Sequence, residues 1–305
     1  MRVIVTGGTG LIGRALTMYL DARGDEVIVT SRRPRRSADW PAGVGLVKWD
    51  GETVTSLVPV LAGAHAVVHL AGEGIAARRW TAERKELIRE SRTRSTAALV
   101  EAFARVGKRP SVLLQGSAVG YYGSRGDEEL DESSDVGEGF LADVCYDWEA
   151  AGSPVEDLGV RRVLLRTGVV LAKEGGALPR MAMPFRLFGG GPVGNGRQWV
   201  PWIHLADEVG AIAFLLDAEH TNGVFNLTAP ECVTNRTLSR AIGRVLHRPS
   251  FVPAPAFAMK LALGEMAELL LNSQKVLSSA LVAAGYTFRF PAVEAALRDL
   301  LGRSQ

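Results

Sequence analysis

Residues 1–13 read MRVIVTGGTGLIG. Val3, Ile4 and Val5 form a run of β-branched residues, the pattern of a central parallel strand buried on both faces. Thr6, Gly7, Gly8, Thr9 and Gly10 follow, and then Leu11, Ile12, Ala15, Leu16 and Leu20 recur at helical spacing. Each glycine at 7, 10 and 13 has a physical purpose in such a strand–turn–helix unit. Gly7 permits the tight turn, Gly10 lets the backbone approach a pyrophosphate, and Gly13 lets the helix sit close on the strand. Phosphates rest at the helix N-terminus, where free N–H groups and the helix dipole favour negative charge. A glycine trio alone is a weak signal, but between a strand and a helix it is a strong one. The expected dinucleotide site therefore includes Thr6, Gly7, Gly10, Leu11, Ile12 and Gly13.

Outward from this unit, a second strand runs from Glu26 to Thr30. About twenty residues after such glycines an Asp or Glu commonly holds the ribose 2′-OH of NAD. Here Thr30 and Ser31 occupy that place, and Arg32, Arg33, Pro34, Arg35 and Arg36 follow. A hydroxyl beside a guanidinium suits a 2′-phosphate, because arginine offers a planar fork of donors. The competing reading of the arginines is a solvated basic loop. The missing acid favours NADP(H), with Ser31 and Arg32 as its 2′-phosphate contacts. A third strand, 43–49, closes at Asp50-Gly51, and Asp50 is counted with the cofactor contacts. A fourth, 66–70, closes at Ala71-Gly72, a pair small enough to let a cofactor lie across the strand end. His69 reads as a packed core histidine. A long helix over 81–106 carries Arg92, placed to look back at the cofactor. The fifth strand, 111–115, leads into Gly116-Ser117-Ala118-Val119-Gly120-Tyr121-Tyr122-Gly123, a helix is expected over 140–158, and a sixth strand over 161–167. Strands alternating with helices predict an α/β fold with a Rossmann-type doubly wound parallel sheet.

Beyond residue 171 glycine clusters break the chain into short elements before a seventh strand, 223–227, and a mostly helical end. The expected division is a dinucleotide-binding domain over 1–230, with residues about 172–205 contributing to a substrate lobe, and a small, mostly helical C-terminal lobe over 231–305. The chain has 305 residues, 47% of them hydrophobic, and a formal net charge of +2. That balance argues against a nucleic-acid partner. No charge-free run is long enough to span a bilayer, and the N-terminal strand lacks a signal peptide's apolar segment. Cys145 and Cys232 have neither metal-ligand spacing nor the look of a disulfide framework. The expectation is a cytoplasmic protein with a small-molecule substrate and no metal, nucleic-acid or membrane partner.

Taken together, TGGTGLIG, HLAG at 69–72, Ser117 with YYG after it, and RTGVVL at 166–171 resemble the extended short-chain dehydrogenase/reductase superfamily. Within it the chain is similar to "epimerase family" proteins that carry a C-terminal domain of unknown function. RRWTAERKELIRESR at 78–92, PFRLFGGGPVGNGRQWVPWIH at 184–204 and VPAPAFAMKLALGEMAELLLNSQKV at 252–276 carry that likeness. The resemblance implies that Ser31, Arg32, Leu70, Ala71, Arg92 and Val170 line an NADP(H) site, and Gly72 at the same strand end is counted with them. It also implies a Tyr-x-x-x-Lys proton relay, which this chain lacks. Aligning Glu149 with the family's glutamate puts Leu141 at the Tyr place and Cys145 at the Lys place; using Tyr146 instead puts Ala150 at the Lys place. Ser117, Tyr121 and Tyr122 are the remaining candidates for proton chemistry. Val200 stands where nucleotide-sugar enzymes of the superfamily grip a diphosphate with arginine, although Arg197 is near enough to substitute. Phe185, Phe188, Trp199 and Trp202 read either as an apolar substrate pocket or as packing between lobe and sheet. His204 and Asp207 fit a strand end and a helix cap. The expected function is an NADP(H)-dependent oxidoreductase or epimerase-like enzyme without the Tyr-Lys pair. The alternative is a non-catalytic NADP(H)-binding regulatory protein.

Overall fold

Alternate residues of the strands face two different cores. Val3, Val5, Val27, Val29, Ala66, Val68, Val112 and Leu114 lie in one apolar cluster, and Ile4, Val67 and Leu113 lie in the other. This is the behaviour of a sheet covered on both sides, and it explains why its strands read as continuous apolar runs. In the computed structural model, which describes residues 1–34, 36 and 40–302, the sheet has seven parallel strands. They are β1 (Arg2–Thr6), β2 (Glu26–Ser31), β3 (Gly45–Lys48), β4 (Ala66–His69), β5 (Val112–Ala118), β6 (Arg161–Thr167) and β7 (Gly223–Leu227). Their spatial order is β3-β2-β1-β4-β5-β6-β7, and every neighbouring pair is parallel. The order reverses between β1 and β4, so the crevice where such sheets bind ligands opens beyond Thr6 and His69. Arg35 of the basic loop lies outside the described residues.

One face is covered by α1 (Leu11–Ala22) and by α6 (Leu205–Asp217), whose Leu16, Leu20, Ile212 and Leu215 join the first core. The other is covered by α2 (Val54–Leu61) and α3 (Ala82–Arg105) through Leu57, Leu61, Leu99 and Phe103. The helix expected over 140–158 divides: α4 (Phe140–Gly152) ends before Pro154, and a 3-10 turn, Ser153–Leu158, completes the span. Proline has no N–H to continue the ladder, which accounts for the break. One helix was not anticipated. α5 (Leu178–Arg186) contains Pro179 in its first turn and Pro184 inside it, and those prolines hide it in a sequence reading.

A third apolar cluster unites Leu171, Leu178, Phe185 and Trp202 with Leu238 and Ile242 of α7 (Asn235–Leu246) and with Leu297 of the last helix, Val293–Leu301. Residues on both sides of the seventh strand therefore build the lobe. Within the mostly helical end the span 254–271 is broken: α8 (Ala256–Leu263) ends at Gly264, whose φ of 61° is left-handed, and a short helix resumes at Glu268–Leu271. The chain then returns to the sheet, where Leu281 of the helix Ser279–Ala283 enters the first core. Asp207 anchors this return by accepting the N–H groups of Arg289 (2.7 Å) and Phe290 (2.8 Å). His204 starts α6 by accepting the Ala206 N–H (2.9 Å), and its ring stacks on Phe290. Both residues are structural, as the sequence suggests. Among the described residues no helix is long and apolar enough to cross a membrane.

Glu208 is fully buried on α6, and among the described residues only the Thr167 hydroxyl (2.8 Å) donates to it. Burial pushes its carboxyl up to about 8, so it is neutral at pH 7. An acid whose pKa rises on folding favours the folded state only while both states hold the proton. The unfolded chain releases the proton from about pH 4.5 and the native state only near 8, so stability falls as pH rises across that window. Glu208→Gln should therefore match the wild type in denaturant unfolding near pH 4. It should be more stable at pH 8, the gain growing by at most about 1.4 kcal/mol per pH unit.

Candidate cofactor and active site

The first turn is built around backbone contact. Gly7 has a φ of 72°, and a methyl group there would lie 2.6 Å from the Leu70 carbonyl carbon and 2.8 Å from the Ala71 nitrogen. A methyl on Gly13 would meet the Gly7 carbonyl and lie 2.7 Å from the Gly8 Cα. Gly10 differs: its methyl would meet only the Gly7 carbonyl oxygen, at 3.3 Å, and the residue is exposed. It is the N-cap of α1, with no side chain capping the helix. The helix N-terminus therefore has open space before it and amide groups directed into that space, the arrangement that receives a pyrophosphate. Gly176 lies beside it, with its would-be methyl 3.0 Å from Leu11 Cδ2 and 3.4 Å from the Val170 carbonyl oxygen. Thr6, Gly7, Leu11, Leu70, Ala71 and Val170 thus come together at the crevice.

At the end of β2, Thr30 is buried while Ser31 accepts the Arg33 N–H (3.2 Å). The Arg32 side chain is 71% exposed, and its guanidinium lies 3.3 Å from Glu73. Glu73 was not singled out by the sequence. It is held in turn by Arg84 (3.2 Å), and its backbone N–H and carbonyl are tied to α3 by Ser91 (3.0 Å) and Arg92 (3.0 Å). Arg92 is tied to the same segment. It donates to the Glu73 and Ile88 carbonyls, stacks 5.0 Å from the Trp148 ring, and backs onto Gly72. Its work here is to brace the 70–73 segment. Asp50 accepts the Glu52 and Thr53 N–H groups and the Thr53 hydroxyl, which hold its carboxyl down at about 2 and start α2. His69 is buried between the Thr6 (2.6 Å) and Thr96 (3.0 Å) hydroxyls, and burial lowers it to about 4, so it is a neutral core histidine.

Where proton chemistry was expected, a buried polar network lies instead. Glu149 of α4 takes two bonds from Arg166 of β6, each 2.9 Å, and the Ser117 hydroxyl donates to it at 2.5 Å. Arg166 also donates to the Tyr122 hydroxyl (3.0 Å), which donates to Asn226 (2.7 Å). Two of the expected proton donors have their partners inside this network. Tyr122 is fully buried, its phenol has both partners inside the protein, and burial pushes it up to about 12. Ser117 is buried, and its hydroxyl donates its hydrogen bond to Glu149. Both hydroxyls make their donor bonds within the protein. Tyr121 is half-buried, with the Arg166 guanidinium 3.4 Å from its ring centroid, and is the one remaining phenol of the three candidates. The sequence did carry a signal for this network: Arg166 interrupts an apolar strand, and a buried arginine requires a partner.

The α4 register is fixed by the same region. Arg162 donates to Gln115 (3.0 Å) and to the Glu149 carbonyl, and Gln115 donates to the Trp148 carbonyl (2.6 Å). Leu141 and Cys145 therefore face Gly120, whose would-be methyl lies 3.2 Å from Leu141 Cβ and 3.5 Å from Cys145 Sγ. Burial pushes the Cys145 thiol up to about 12. No acid–base group stands at either place.

An open depression of about 830 Å³ lies between Gly126-Asp127, residues 194–198 and residues 256–273. Arg197 and Lys260 line it together with Asp127 and Glu268, so its charge is mixed. Gln274 joins its edge to the Tyr121 turn by donating to the Val119 and Gly123 carbonyls, each 2.8 Å away. The four aromatic residues do not form a pocket. Phe185 and Trp202 are buried in the lobe core, Phe188 points outward, and Trp199 donates to Asp127 (2.7 Å). Val200 pairs with Val233 in a short antiparallel ladder.

The chain belongs to the NAD dependent epimerase/dehydratase family, whose model matches residues 3–228, and a domain of unknown function (DUF1731) matches residues 254–300. It is 40% identical to the epimerase family protein SDR39U1 of Bos taurus over 306 residues, covering 99% of this chain and 100% of the relative. Its structure is similar to that of human epimerase family protein SDR39U1 with NADPH, at a TM-score of 0.89 and 37% identity, covering 98% of this chain and 99% of that one. A nucleoside-diphosphate sugar epimerase from Corynebacterium glutamicum aligns with a TM-score of 0.80 and 35% identity, over 99% of this chain and 58% of that one.

The network makes a stability prediction. Glu149→Ala leaves the buried Arg166 guanidinium without its partner and should cost about 3–5 kcal/mol in urea unfolding. Tyr122→Phe removes a hydroxyl bonded on both sides and should cost about 1–3 kcal/mol. A Tyr122→Phe protein as stable as the wild type would show that its phenol is not held as described.

Proposed function

We propose that this member of the NAD dependent epimerase/dehydratase family binds NADPH and reduces a small molecule. The observation that supports the reading most is the unhindered N-terminus of α1 at Gly10, combined with a β2 end that offers Ser31 and Arg32 in place of an acid. The residues present fit the cofactor's charges. The amides at the start of α1 would hold the pyrophosphate, and Ser31 and Arg32 would hold the 2′-phosphate. Leu70, Ala71, Gly72 and Val170 would line the ribose and nicotinamide path. When bound, the cofactor supplies a hydride.

The chain's own task is to orient the substrate and deliver a proton. Tyr121 is assigned the proton, because it follows β5 at the carboxyl edge of the sheet and is not sealed into the network. Arg166 lies against its ring and fixes its position. Ser117 and Tyr122 act as positioning residues through Glu149 and Arg166. The depression beside Arg197 and Lys260 receives the substrate, and its mixed charge suits a small polar molecule.

A second reading, a non-catalytic NADP(H)-binding regulator, is favoured by the inert pair Leu141 and Cys145. A screen of carbonyl compounds for NADPH oxidation separates the two. Reduction of any of them supports the enzyme, whereas tight NADPH binding with no turnover across the panel supports the regulator.

Two variants sharpen the test. Arg32→Ala should weaken NADPH binding by about ten-fold and leave NADH unaffected, the modest size reflecting an exposed guanidinium. With a substrate in hand, Tyr121→Phe should lower turnover by at least about 100-fold, the smaller figure for general acid catalysis. Unchanged turnover would move the proton donor elsewhere.

A further inference from the structure

We propose that the outer face of the lobe, formed by the end of α5, the Phe251–Val252 segment and α8, docks on the surface of an anionic lipid bilayer. Among the described residues the six most exposed large apolar side chains are Met183, Leu187, Phe188, Phe251, Phe257 and Leu261, at 60% to 79% exposure. All six lie on these elements. The elements are neighbours: the Val252 N–H donates to the Gly190 carbonyl (3.1 Å), the Gly194 N–H donates to the Ala254 carbonyl (2.8 Å), and Val193 bridges to Ala254. α8 buries none of its residues, although its sequence AFAMKLAL is apolar at seven positions of eight. Soluble surfaces rarely leave so many large apolar side chains together without a partner.

Charge selects the partner. Residues 175–206 and 232–264 contain eight Lys and Arg and no Asp or Glu, in a chain whose net charge is only +2. Arg186 adjoins Leu187, Arg248 lies over the Phe188 ring at 4.4 Å, and Lys260 stands between Phe257 and Leu261 on α8. Arg244 is committed to Glu294 at 2.7 Å. A second copy of this chain docked face to face would set these cations against their own images, a like-charge contact that costs energy. The apolar side chains also protrude from a helix and turns and do not line a groove. Protruding aromatic and aliphatic side chains flanked by cations suit insertion at the headgroup boundary of an anionic bilayer. This is surface docking, so it needs no spanning helix. It revises the sequence expectation of no membrane contact, and it does not depend on the cofactor reading.

The experiment is flotation of the full chain with vesicles of phosphatidylcholine alone or of phosphatidylcholine and phosphatidylglycerol in equal parts. The wild type should float with the anionic vesicles, remain behind with the neutral ones, and be released by salt. Phe257→Ser with Leu261→Ser should weaken binding at least about ten-fold. Arg186→Gln with Arg248→Gln should weaken it and reduce its salt dependence. Tyr146→Ser, an exposed aromatic on α4, should float like the wild type. Circular dichroism of the serine variant should match the wild type, since both side chains are exposed. No flotation of the wild type, flotation unaffected by the serine pair, or equal flotation on neutral vesicles would overturn the proposal. So would a dimer in sedimentation that the serine pair dissociates, which would give the face to a second copy.

Discussion

A methyl group fits at neither Gly7 nor Gly13, and the arrangement of the crevice depends on that. At Gly7 the backbone of β1 meets the backbone leaving β4, and at Gly13 the helix meets the turn it came from. The two contacts fix the start of α1 at the strand-order reversal, and they hold Leu70 and Ala71 against the same turn. An open, uncapped helix N-terminus is then presented at the one place in the sheet where two strand ends diverge. Gly10 is spared such crowding, which is why the space in front of it remains available.

The second constraint is the Glu149–Arg166 pair. Two buried charges are tolerated because each is bonded on several sides, by Ser117 and by Tyr122 as well as by each other. The same pair sets the register of α4 against β5 and β6. That register turns Leu141 and Cys145 toward Gly120, so the places where the superfamily resemblance implies a tyrosine and a lysine hold groups that exchange no proton at neutral pH. Leu141 and Cys145 are thus part of a well-packed region.

Much of this was legible in the sequence, for reasons that can be named. The two-sided apolar strands, the glycine spacing and the missing acid at Thr30-Ser31 are local features, and local features survive as patterns along the chain. The network did not, because Glu149 meets partners as distant as Ser117 and Arg166, and Tyr122 meets Asn226. Tyr121 and Tyr122 look equivalent as a dipeptide. Only the 3-10 turn Val119–Tyr122 separates them, sealing one ring inside and leaving the other half-exposed. Glu73 was hidden because its meaning lies in Arg32 and Arg84, which reach it from different elements. The basic, acid-free segments of the lobe were visible but averaged out of the net charge, since the remainder of the chain is acidic.

We assign the Gly10 crevice and the Ser31-Arg32 strand end together as a site for the phosphorylated dinucleotide. Titration calorimetry of the wild-type protein with NADPH and, separately, NADH tests it most directly. One site per chain is expected for NADPH, with NADH bound at least about ten-fold more weakly, the difference a single charge-assisted phosphate contact provides. Equal affinity for the two, or no heat with either, would contradict it.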